Sequence, residues 1–261
     1  MSTLKRAPWP LVALGGLGAA VFVVPLAGLA SKVPWGNLAE LVTSPVVVDA
    51  LKLSLITSLS AASISLLLGV PLAWLLARVE FPGRSVLRAV VTLPMVLPPV
   101  VGGAALLFAL GRRGLVGAPI YETTGLLLPF SGWGVVVANV FVAMPFLVIT
   151  VEGALSGIDP RYEAAAASLG ASRLTVFRRI TVPMLAPPRR AGVVLAWARA
   201  LGECGATITF AGNLQGRTQT LPLAVFIALE SDRDAAVAMS LVLVAVSLVV
   251  LVALRDRWWG R

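Results

Sequence analysis

The 261-residue chain has no histidine and a single cysteine, Cys204. Without histidine there is no Ser-His-Asp or Cys-His nucleophile system and no imidazole proton relay. One cysteine cannot close a disulfide within the chain, and a zinc site has no Cys/His set to draw on. No metal and no cofactor is expected. Charge is scarce as well: 13% of residues are Asp, Glu, Lys or Arg, where a soluble domain carries about a quarter. The remainder is apolar, with 58% hydrophobic residues and a mean hydropathy of +0.94. Most of such a surface must face something other than water, which places the chain in the polytopic membrane class.

The little charge present is unbalanced, with 21 Lys and Arg against 12 Asp and Glu. In a soluble chain this excess would suggest nucleic acid. In a membrane chain it reflects basic residues collecting in cytoplasmic loops, so no nucleic-acid partner is expected. Six apolar segments can be cut out, at approximately 10–30, 53–77, 87–110, 134–156, 190–211 and 236–254. Each has about the length at which a helix rising 1.5 Å per residue crosses the hydrocarbon of a bilayer. No hydrophilic domain is inserted, and residues 1–261 read as one all-α transmembrane domain with about six helices.

With six spans, tails and loops alternate sides. One side takes Lys5, Arg6, Arg78, Arg84, Arg88, Arg161, Arg173, Arg178, Arg179, Arg189, Arg190, Arg255, Arg257 and Arg261, fourteen of the 21 basic residues. The other takes six: Lys32, Lys52, Arg112, Arg113, Arg217 and Arg233. The richer side is expected to be cytoplasmic, which puts both termini and the 157–189 loop inside a cell-membrane protein. The N-terminal run resembles a signal peptide, but at about 20 residues it is long enough to span, and it is read as a retained first helix.

Prolines mark irregularity. Pro94, Pro98 and Pro99 interrupt the third segment, followed by Gly102 and Gly103. A proline inside a helix removes a hydrogen bond and kinks the chain. In lipid that is tolerated where neighbours or a cavity satisfy the freed backbone. Pro98 and Pro99 are candidates for the wall of a path, with a kinked packing helix as the alternative. The fifth segment carries Arg199 and Glu203 four residues apart in an apolar run, where charges are costly and pair or face a cavity. On an ideal helix Arg199, Glu203, Thr207, Phe210 and Asn213 share a stripe, with Thr209 close by. Such a polar stripe suits a water-filled path or gate; the alternative is an internal ion pair with hydroxyls bonded back to their own helix.

The 159–183 stretch, DPRYEAAAASLGASRLTVFRRITVP, is polar and ordered in its signals. Asp159 is a good N-cap and Pro160 suits a first helical position. A helix over 160–169 runs through four alanines, and Gly170 can end it in the left-handed conformation. Ser172 can cap a second, basic helix over 173–180, and Pro183 is expected to stop it.

This stretch resembles the coupling motif of ABC importer permeases: Glu-Ala-Ala, three residues, Gly, nine residues, Ile, one residue, Leu-Pro. Ala165, Ala166, Gly170, Ile180 and Pro183 fall in register with it, with Val182 in place of the leucine. Ala164 occupies the motif's glutamate position, and Glu163 stands one place earlier. The resemblance implies a type I ABC importer permease core, with Glu163, Ala164, Ala165, Ala166, Gly170, Arg173, Ile180 and Pro183 coupling to an ATPase. Because of the shifted glutamate, backbone shape and small-residue packing are expected to carry the docking. Residues 197–230, with ARALGE, GATITFAGN and GRTQTLPLA, are similar to the permeases of molybdate importers. Sulfate and thiosulfate permeases are near relatives, sharing Ala-Arg-Ala and Gly-Glu.

The resemblance implies a second copy of the chain, two cytosolic ATP-binding subunits, an extracytoplasmic anion-binding protein and membrane lipid as partners. The chain has no GxxxxGK[ST] phosphate loop, so it is not itself expected to be the ATPase. A fixed unpaired arginine would hold a dianion too firmly for release, and an Arg199–Glu203 pair would avoid that. Tungstate or sulfate remains open as cargo. An ATP-independent transporter or channel would leave the docking loop unexplained, and a membrane-embedded enzyme would need a His, Asp or Glu cluster that is not visible.

Overall fold

A computed structural model of the chain describes residues 8–159 and 161–258. Pro160, expected to open a helix, and Lys5, Arg6 and Arg261, counted on the basic side, lie outside the described residues. Every regular element described is helical. In chain order these are α1 (Trp9–Ser31), α2 (Leu38–Thr43), α3 (Pro45–Arg78), α4 (Arg84–Thr92) and its 3-10 extension Leu93–Met95, α5 (Pro99–Leu110) and α6 (Gly117–Thr124). There follow α7 (Gly132–Gly157), α8 (Arg161–Ser168), α9 (Arg173–Val176), a π-helical turn at Phe177–Thr181, and α10 (Val182–Met184). The chain ends with α11 (Ala186–Leu201), α12 (Gly205–Ala211), α13 (Leu221–Ser231) and α14 (Arg233–Trp258).

Four helices, α1, α3, α7 and α14, are long and apolar enough to cross a membrane, and the number reaches six if each of two bent pairs is one span. The bend within 87–110 falls at the prolines expected to interrupt it, and the bend within 190–211 corrects the expectation of an unbroken helix there. The α4 stretch through Met95 meets α5 at 119°, and α11 meets α12 at 62°. The first break follows from adjacent prolines. Each disfavours helical backbone in the residue before it, and Pro98 takes ψ 132° as the N-cap while Pro99 opens α5. The second lies at Gly202–Cys204, between the end of α11 and the start of α12.

The described residues fall into two compact units, one of 8–48 with 224–258, the other within 49–223. In the first, α1 and α2 both approach α14, and α1 has no buried residue along its length.

In the second unit α7 is central. Its C-terminal half packs with α3 and α11 through Leu147, Val151 and Leu155 of α7, Ala73 and Leu76 of α3, and Ala196 of α11. Glycine allows the approach: a Cβ at Gly192 of α11 would lie 3.4 Å from the Leu147 Cα. The N-terminal half packs with α5 and α12 through Ala138 and Val142, Leu106, and Ala206 and Phe210. Small residues at such contacts are the usual device for packing helices in lipid. Two long-range hydrogen bonds pin the N-terminal half of α3. Trp197 Nε1 donates to Ser58 Oγ at 2.9 Å, and the backbone N–H of Leu221, first residue of α13, donates to Ser54 Oγ at 2.7 Å. The second satisfies a helix-terminal donor that lipid could not.

Candidate functional site

The 159–184 segment takes the shape its sequence signals. The Asp159 carboxylate accepts the Arg161 N–H at 2.9 Å, as an N-cap does. Gly170 takes φ +83°. The Ala171 N–H bonds the Ala166 carbonyl at 3.1 Å and the Gly170 N–H the Ala167 carbonyl at 3.0 Å, which together make a Schellman ending. Ser172 Oγ accepts the Thr175 N–H at 3.2 Å and opens α9. No residue of α8 is buried. Ala164, Ala165 and Arg173 are exposed, Ala166 and Ile180 half-buried, and Leu169, at the turn, is 89% exposed.

Pro183 requires a correction, because it does not stop the second helix. α9 widens into the π turn and continues through α10, where Pro183 is an early residue, and after Leu185 it runs on into α11. Pro183 stands in the first turn of α10, directly after the wider turn, where its missing N–H costs less than in an α-helical interior.

Glu163 turns away from the exposed face of α8. Its Oε2 lies 3.2 Å from Arg78 Nε, an ion pair without a directed hydrogen bond from that nitrogen. Its Oε1 accepts from Thr181 Oγ1, inside the π turn, at 2.7 Å. Arg78 Nη2 also donates to the Ile158 carbonyl at 3.0 Å.

Beside this lies a cluster that the sequence did not reveal. Arg84 Nε donates to the Leu76 carbonyl at 2.6 Å, and Arg88 Nη2 reaches the same oxygen at 3.3 Å. Both cap the unpaired carbonyls in the last turn of α3, where cations also suit the helix dipole. Arg88 pairs in addition with Glu152 of α7, its Nε donating to Oε1 at 2.8 Å. One signal could have found the pair: an acidic residue in an apolar run needs a partner, and Arg88 opens the preceding segment.

At the second break the expected pair forms, Arg199 Nη1 to Glu203 Oε2 at 2.6 Å, with the Glu203 side chain 1% exposed and that of Arg199 28%. Glu203 Oε1 also accepts the Ala206 N–H at 2.7 Å and so caps α12. The continuous polar stripe is not formed, because the helix carrying it ends at Leu201 and restarts at Gly205. Thr207 and Phe210 are fully enclosed in packing. Thr209 donates back to the Gly205 carbonyl at 2.9 Å, and Asn213 lies beyond α12. Pro98 and Pro99 are exposed. Polar oxygens of Thr207, Asn213 and Asn139 are buried without a partner. Among the described residues no three His, Cys, Asp or Glu side chains come together as metal ligands.

Helices apolar enough to span a membrane, two broken pairs and a capped, exposed loop backed by arginines suit the membrane part of a transport system. Residues 69–257 match the family described as the binding-protein-dependent transport system inner membrane component, and the chain belongs to that family. It is 47% identical to the molybdenum transport system permease protein ModB of Mycobacterium tuberculosis, over 94% of this chain and 93% of that one. It is 42% identical to the protein of the same name from Escherichia coli, over 82% and 93%. The sulfate transport system permease protein CysT of Salmonella typhimurium is 37% identical over 88% and 84%. Among solved structures, a chain of a bacterial alginate ABC transporter, in complex with an alginate pentasaccharide-bound periplasmic protein, superposes with a TM-score of 0.72. That match covers 95% of this chain and 93% of the other at 22% identity, a likeness of fold. The chain is thus a multi-pass permease of the ABC importer type.

Proposed function

We propose that this chain is the transmembrane subunit of an ATP-driven molybdate importer. Two copies form the translocation path, two separate cytosolic ATPase subunits dock on the 157–189 loop, and an extracytoplasmic binding protein delivers the dianion. Both termini lie in the cytoplasm. The observation that carries the reading is the near full-length 47% identity to a molybdenum permease. The exposed, capped helix pair at 161–176, which offers a close-fitting small-residue surface, supports the docking part.

ATP binding and hydrolysis in the partner subunits would shift the permease between inward- and outward-facing packings, each favoured by a different nucleotide state. The path runs by the two breaks, where Pro98, Pro99, Arg199, Thr209 and Asn213 stand. Arg199 is neutralised by Glu203, so it attracts the passing dianion weakly and lets it go.

Reconstitution with the ATPase subunit and the binding protein in proteoliposomes tests this reading. Molybdate uptake should require ATP, compete with tungstate and resist excess sulfate. The 37% identity to a sulfate permease makes sulfate the second reading, and sulfate uptake outcompeting molybdate would establish it. Uptake without ATP would reject the ABC mechanism altogether.

A further inference from the structure

We propose that Glu163 is a positioning residue that latches the exposed helix α8 to two membrane helices at once, so that a displacement of the loop is passed to α3 and α11 together; this rests on the importer reading above. α8 has no buried residue, so apolar packing gives it little hold on the bundle. Its side-chain attachment is polar and converges on one carboxylate. Oε2 pairs with Arg78, in the last turn of α3. Oε1 takes the hydroxyl of Thr181, which is 1% exposed and lies in the π turn that continues into α11. Arg78 also holds the Ile158 carbonyl just past α7. Through two side chains α8 is thereby connected to the ends of three long helices.

The chemistry favours a latch that persists. The carboxylate and guanidinium side chains are 18% and 14% exposed, so water screens them weakly. Each also suits its helix end, the cation in the last turn of α3 and the anion in the first turn of α8. The Asp159–Arg161 contact, with side chains 51% and 92% exposed, is of the solvated kind that contributes little. A carboxylate spent on the inside of the loop also leaves the outward face of α8 to small side chains, which can approach a partner subunit without a charge to desolvate.

The test uses the full chain, alone in nanodiscs and assembled with its ATPase and binding protein in proteoliposomes. In the chain alone, Glu163→Gln and Thr181→Val should each speed amide exchange across residues 161–168 by about tenfold, the size of a modest coupling energy, with exchange in 132–157 unchanged. In the complex, Glu163→Gln should retain both ATPase subunits and continue hydrolysis while molybdate uptake per ATP falls about tenfold. The swap Arg78→Glu with Glu163→Arg restores the ion pair but neither the Ile158 bond nor the helix-end preferences, so it should recover part of that ratio, which a general packing defect would not. Unchanged exchange, an unchanged uptake ratio, or a swap no better than the single change would each overturn the latch. Loss of the ATPase subunits from Glu163→Gln would overturn it too, by placing Glu163 on the docking surface. If wild-type complex shows no ATP-driven molybdate uptake, it is the importer reading that fails, and the exchange measurement still reports whether Glu163 holds α8.

Discussion

Gly205 lies directly against Pro99: a Cβ on the glycine would stand 2.8 Å from the Cβ of the proline. The two residues open α12 and α5, so the two helix breaks of the 49–223 unit meet. A second contact continues the seam, since a Cβ at Gly103 would come within 2.7 Å of both the Ala206 carbonyl and the Thr209 Cβ. Gly205→Ala should therefore force the two helices apart, at a cost of about 1–3 kcal/mol for overpacking. Thermal unfolding in detergent should show a lowered midpoint, and Gly205→Val a lower one still. An unshifted midpoint for both would mean that the seam opens freely.

The Arg199–Glu203 pair makes a more discriminating case. Arg199→Ala strands a carboxylate that is 1% exposed, and removing one partner of a buried pair costs about 3–5 kcal/mol. Adding Glu203→Ala removes the charge but leaves the Ala206 N–H without its cap. Adding Glu203→Gln removes the charge and keeps an oxygen for that N–H. The order of stability is thus expected to be Arg199→Ala with Glu203→Gln above Arg199→Ala with Glu203→Ala, and both above Arg199→Ala alone. Transport in proteoliposomes should follow the same order. If instead all three are equally inactive but stable, Arg199 meets the anion directly.

Gly170 provides a test of backbone geometry alone. Open space surrounds its Cα, yet its φ is +83°, so any loss on substitution comes from conformation. Gly170→Leu should cost about 1–2 kcal/mol and weaken retention of the ATPase subunit during purification, while Gly170→Asn, which tolerates this region, should retain more of it. Equal retention by wild type and the leucine variant would remove the turn from the proposed docking surface.

Sidedness is checked by single cysteines in a Cys204→Ala background. Thr218 is buried and its Oγ1 accepts the Leu214 N–H, so Gln215, exposed in the same loop, is the better probe. A cysteine at Gln215 should label from outside. One at Leu169 should label only after permeabilisation. Labelling from the same side would mean that one bent pair enters and leaves the membrane on one face.

The sequence was most informative where structure is decided within a few residues. Asp159, Gly170 and Ser172 cap as expected because a cap depends on three or four neighbouring backbone groups. Long apolar runs located α1, α3, α7 and α14 for the same local reason. Legibility failed where a distant partner decides. The helical wheel of the fifth segment assumed an unbroken axis, and Glu203 instead turned to cap a new helix packed against α5. Arg88 finds Glu152 across 64 positions and Trp197 finds Ser58 across 139, separations that periodicity does not encode. Pro183 alone signals a helix stop, and its place in the first turn after the widened stretch overrides that preference.

That widened turn also changes the angular phase of everything around it. A π turn closes its hydrogen bonds one residue further along than an α turn does, so it acts as a single residue spliced into a rod, and each residue of an α-helix advances the face by about 100°. The exposed side of α9 and the packed side of α11 therefore cannot be related by counting in steps of three and four through Phe177–Thr181. Deleting one residue there would remove the extra residue but turn the helix on its two sides against itself by about a quarter of a revolution. Either the loop or the membrane half would then keep its correct facing, but not both.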